Sequence, residues 1–63
     1  MTVKQREALT RLERANGGII EVGPAEDLGE GWVWALTPDT REVPVYDDRI
    51  RSWYVTPAGR ILA

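Results

Sequence analysis

GWVWALTPDTREVPVY, residues 31 to 46, holds two of the three tryptophans of a 63-residue chain and alternates like a β-hairpin. In its first arm Trp32, Trp34 and Leu36 share one face and Val33 and Ala35 the other. In the second arm Val43 and Val45 alternate with Pro44 and Tyr46, and Thr37-Pro38-Asp39-Thr40 between them reads as a turn. Pro44 lacks an N–H donor, which puts that arm on a sheet edge or at a bulge. The indoles at 32 and 34 are expected to point inward and meet the leucines of an N-terminal helix.

That helix is predicted over residues 3 to 15. Thr2 and Gln5 have the T-x-x-Q spacing of a capping box, in which the hydroxyl accepts from the amide three residues on and the glutamine reaches back. At 100° per residue, Gln5, Ala8, Leu9, Leu12 and Ala15 form one stripe, too thin to hold a helix without a sheet beneath it. Asn16-Gly17-Gly18 tolerates positive φ and ends the helix, with Arg14 beside the carbonyl end of the dipole.

Beyond the helix, Ile19-Ile20-Glu21-Val22 reads as the first strand, broken by Gly23-Pro24, and residues 23 to 31 as an exposed acidic loop. Residues 50 to 55 read as a further strand, with 47 to 53 as a short helix left open as an alternative. Thr56-Pro57-Ala58-Gly59 forms a turn with Gly59 left-handed, and residues 60 to 63 form a last short strand or a helical stub. Trp34 to Arg41 and Trp53 to Arg60 share the order Trp, apolar, Thr-Pro, Arg, which two hairpins under one steric demand would also produce. The fold class is therefore α+β, a single domain over residues 1 to 63: one N-terminal helix on a small antiparallel meander of three to four strands, near 19 to 22, 32 to 36, 42 to 46 and 50 to 55.

The composition points away from catalysis. The chain has no cysteine and no histidine, so disulfides, thiolate zinc sites and the commonest general base are all missing. Ser52 is the only serine, and Asp47 and Asp48 are adjacent, so in a strand they face opposite sides and cannot act as a pair. Glu26, Asp27 and Glu30 offer oxygen ligands, but the spacing of a calcium loop is absent. No enzyme activity, metal or cofactor is expected. No apolar run reaches the roughly 18 residues of a membrane span, no signal-peptide pattern opens the chain, and the lack of cysteine suits a cytoplasmic location. The net charge of −2 disfavours general nucleic-acid binding, although Lys4, Arg6, Arg11 and Arg14 make the helix basic ahead of the acidic loop.

What the chain has in surplus is aromatic rings with a polar handle, of the kind enriched at protein interfaces. The expected function is a non-catalytic interaction or regulatory module that binds a protein partner, or itself, through a sheet edge bearing Trp53, Tyr46, Tyr54, Arg49, Arg51 and Arg60.

One resemblance supplies an alternative. WYVTPAGRIL, residues 53 to 62, resembles the Y-x-[LV]-T-x-x-G-R run in which the wing strand of bacterial winged-helix regulators finishes and enters a final helix. The opening helix followed by Gly17-Gly18-Ile19-Ile20 is similar to that family's first helix and short strand. The resemblance implies a reduced DNA-binding protein, with a remnant of the groove-reading helix at 47 to 53, Arg49, Arg51 and Ser52 toward DNA, and Arg60 at a phosphate. The family's second and third helices have no counterpart, because residues 23 to 46 are broken by Gly, Pro and strand-like alternation.

Overall fold

A computed structural model describes residues 1–39 and 50–63. Helix α1 (Val3–Asn16) is followed by strands β1 (Glu21–Pro24), β2 (Val33–Pro38), β3 (Ile50–Val55) and β4 (Ile61–Leu62). The strands form one antiparallel sheet in the order β1-β2-β3-β4, with the helix packed on β2 and β3. This is the α+β arrangement expected from the sequence.

Local chemistry sets both ends of α1. The Gln5 amide donates to Thr2 Oγ1 at 3.0 Å and Gln5 Oε1 accepts from the Thr2 amide at 2.8 Å, completing the capping box. At the other end Gly17 is left-handed (φ 76°), and the Gly18 amide returns to the Glu13 carbonyl at 2.9 Å, the six-to-one bond of a Schellman turn. Gln5, Ala8, Leu9 and Leu12 are buried. Ala15, in the last turn of the helix, is exposed.

The face that α1 covers differs from the expected one. The buried cluster joins Ala8, Leu9 and Leu12 to Ala35 of β2 and Val55 of β3, with Ile19, Val22, Val33, Trp53 and Ile61 packed around it. Trp32 and Trp34 are not beneath the helix. Alternation fixes which residues share a face but not which face turns inward, and both faces of β2 are apolar. Ala8 and Ala35 are fully buried in one cluster, and such small side chains let helix and sheet come close, where an indole would hold them apart. Bulk on this side comes from Trp53, whose Nε1 donates to the buried Thr37 Oγ1 at 3.0 Å.

Two further expectations are corrected. Thr37 and Pro38 belong to β2, paired with Arg51 and Ile50 of β3, rather than to a turn, and the Trp53 bond to Thr37 helps hold that register. The expected second arm, 42 to 46, and the edge role of Pro44 lie outside the described residues; the strands beside β2 are β1 and β3. Gly23 and Pro24 likewise continue β1 rather than break it, pairing with Trp34 and Val33. The closing residues take the strand alternative as β4.

Gln5 ties the helix start to two other parts of the chain. Its Nε2 donates to the Gly31 carbonyl at 2.6 Å and the Val55 carbonyl at 3.4 Å, and the side chain is only 1% exposed. Next to it the Thr2 hydroxyl donates to the Pro57 carbonyl at 2.6 Å. The β3–β4 turn closes with Gly59 N–H to Thr56 O (2.8 Å) and Thr56 N–H to Arg60 O (3.0 Å). Gly59 is left-handed (φ 83°), and a Cβ there would stand 2.7 Å from the Lys4 carbonyl oxygen.

Two stability measurements check this account. Gln5→Leu keeps apolar volume but strands two carbonyls and the Thr2 amide, and is expected to cost about 2–4 kcal/mol in urea unfolding, against within about 0.5 kcal/mol for the exposed Glu13→Gln. Gly59→Ala should cost more than about 1 kcal/mol in the same assay, since it adds a left-handed Cβ and a clash with helix backbone.

Candidate interaction surface

Antiparallel partners share a face, so the register defines what the sheet presents away from α1. One row across the strands is Gly23, Trp34, Tyr54 and Leu62; the next is Glu21, Leu36 and Ser52; the last is Pro38 and Ile50. Trp34, Leu36, Tyr54 and Leu62 are half-buried and Ile50 is 53% exposed. Glu21, on the outermost strand, is the sole charged residue in these rows. Among the described residues, the single helix lies on the other face.

Trp34 is central to this surface. It stands on the second strand, directly opposite Tyr54 on the third, and its ring lies over Gly23, where an added Cβ would run into the indole. Glycine in β1 is thus the recess that admits the ring over the neighbouring strand. Trp32, ahead of β2, is held in a similar way against Gly29.

The residues expected to form the interaction edge divide between locations. Arg51 and Trp53 are together on the helix side, with the guanidinium carbon 4.1 Å from the centre of the indole ring, a cation–π stack. Tyr54, the next residue, faces the opposite way with Trp34. Arg60 is exposed in the β3–β4 turn, and Tyr46 and Arg49 lie outside the described residues. No single surface therefore carries Trp53, Tyr54, Arg51 and Arg60. The same alternation separates Arg51 from Ser52, which the winged-helix resemblance set side by side on a helix; residues 50 to 53 are strand, and 61 to 62 are strand rather than a final helix. It also makes the two Trp-to-Arg segments inequivalent, since Trp34 points outward and Trp53 inward.

Other places offer less. Among the described residues no three carboxylates converge as metal ligands, and Glu26, Asp27 and Glu30 are exposed. A hollow of about 220 Å³ between α1 and the β3–β4 turn is lined by Lys4, Glu7, Arg11, Ala58 and Gly59. It lacks a convergent set of buried polar groups that would orient a substrate.

Trp34, Leu36, Ile50 and Leu62 were not singled out as surface residues from the sequence. Reading the strands for the small side chains a helix needs, rather than for the largest apolar ones, would have turned Val33 and Ala35 inward and left Trp34 and Leu36 outside.

The dependence of Trp34 on Gly23 can be measured by a double-mutant cycle. Gly23→Ala alone is expected to destabilise by more than about 1 kcal/mol, and most of that penalty should vanish when Trp34→Leu removes the ring, giving a coupling of about 1 kcal/mol or more by urea unfolding. No family model, curated protein or solved structure matches this chain.

Proposed function

We propose that this protein is a non-catalytic interaction module, regulatory in the sense that it acts by occupying a partner, and that it binds through the sheet face opposite α1. One observation carries the reading: Trp34, Leu36, Ile50, Tyr54 and Leu62 lie together on that face with only Glu21 charged among its rows. Interface centres are enriched in Trp and Tyr and depleted in charge. A contiguous apolar patch on a small protein marks a binding surface more often than a scattering of single exposed residues does. The expectation of a sheet edge is thereby moved to a sheet face. The absence of cysteine suits work in a reducing cytoplasm.

Photo-crosslinking tests this directly. With p-benzoylphenylalanine at Leu36, irradiation of source cells expressing the chain at native level should give discrete protein adducts, and the same group at the exposed helix position Thr10 should give none. Absence of adducts at position 36, or equal labelling at both positions, would overturn the reading.

A further inference from the structure

We infer that the occupant of the outward sheet face is a second copy of this chain, packed sheet against sheet about a two-fold axis with Trp34 and Tyr54 near its centre. The inference rests on the proposed function, and names what covers the face.

Three observations lead to it. The first is the size of the interior. The buried apolar residues described are Ala8, Leu9, Leu12, Ala25, Ala35 and Val55, three of them alanine and none aromatic. A chain of 63 residues without disulfides lies in the range where a single core is marginal and association is a common remedy. Its outward rows carry larger apolar side chains than its buried cluster does.

The second is charge. A two-fold contact sets a patch against itself, so any charge at its centre meets its own sign. Here the rows are neutral apart from Glu21 on the outermost strand, while Arg51 is on the helix side and Arg60 in a turn. Among the described residues an acidic partner would find no cation on this face and a basic one only Glu21 at the edge, whereas an identical copy sets no charge against its like at the Trp34–Tyr54 centre.

The third is shape and extent. Trp34 and Tyr54 stand opposite each other on the two middle strands, with the Trp34 ring over Gly23 and small Ser52 in the adjoining row, a surface of the kind that packs sheet against sheet at about 10 Å. Nine outward positions, at about 6.8 by 4.8 Å each, cover roughly 300 Å² of sheet. That is below the roughly 800 Å² per partner of a standard interface, so the dimer is reversible and sensitive to concentration.

Sedimentation equilibrium of the whole chain from about 1 µM to 1 mM tests the inference, with micromolar-to-millimolar dissociation expected for so small a contact. The average mass should rise from 7.1 kDa toward twice that value. Ser52→Lys places a charge on the outward face at an already exposed position and should keep the chain monomeric throughout, with Leu36→Lys doing the same. Thr10→Lys on the helix should leave the wild-type curve unchanged. Unfolding curves of each variant separate loss of association from loss of fold. A wild-type chain that stays monomeric at 1 mM, or a folded Ser52→Lys variant that still dimerises, would overturn the inference. If a monomeric wild type still crosslinks from position 36 to a different protein, only the identity of the occupant fails. If it crosslinks to nothing, the proposed function fails with it.

Discussion

The side-chain amide of Gln5 is the interaction on which the arrangement of this chain depends. One group accepts from Thr2 to start the helix and donates to Gly31, ahead of β2, and to Val55, at the end of β3. Burying an amide without partners would cost several times what one net hydrogen bond contributes, so the site tolerates only a geometry in which all three bonds form. That fixes the rotation of α1 about its axis. With Gln5 locked, Ala8, Leu9 and Leu12 have no choice but to face the sheet, and the helix start is held over the β3–β4 turn, where Gly59 alone fits against Lys4. Thr37, the other buried polar side chain, is satisfied by Trp53, and no buried side-chain donor or acceptor is left without a partner among the described residues.

Much of the helix was legible because its signals are local. The T-x-x-Q capping box, the stripe through Leu12 and the glycines that end the helix each depend on residues within one or two turns, and the structure uses them as their spacing suggests. The strand expected at 50 to 55 matches β3, and those expected at 19 to 22 and 32 to 36 overlap β1 and β2, which both run two residues further. Which side of β2 faces the helix was not legible, because Val33 and Ala35 on one side and Trp34 and Leu36 on the other are all apolar. The choice goes with a buried cluster that joins Ala8, Leu9 and Leu12 to Ala35 and Val55, which no window of one strand contains. Gly23-Pro24 failed to read as strand for a similar reason. Its permissiveness looks like a break until the Trp34 ring from the neighbouring strand is seen lying over it.

The candidate surface shows what period-two reasoning yields when applied fully. Trp53 and Tyr54 are consecutive, so in an extended strand they could never share a surface, whereas Arg51 and Trp53, two apart, necessarily do. Their separation was therefore readable from the sequence. The pairing of Trp34 with Tyr54 was not, because it depends on β2 and β3 being neighbours in a register that only the folded sheet defines.

The inward preference for small side chains and the aromatic outward face have one cause. A sheet with a helix on one side and water on the other ordinarily alternates apolar with polar, whereas strands apolar on both sides are the pattern of sheets covered twice. β2 carries apolar side chains on both sides: close approach of α1 admits Ala35 inward, Trp53 of β3 packs at the border of that cluster, and Trp34 and Tyr54 stand on the other face. Trp34 then lies over Gly23, so part of the outward side of β1 is covered by an indole. A surface organised in that way gains less from hydration than a polar one and more from being covered, which is the physical basis for assigning it a partner.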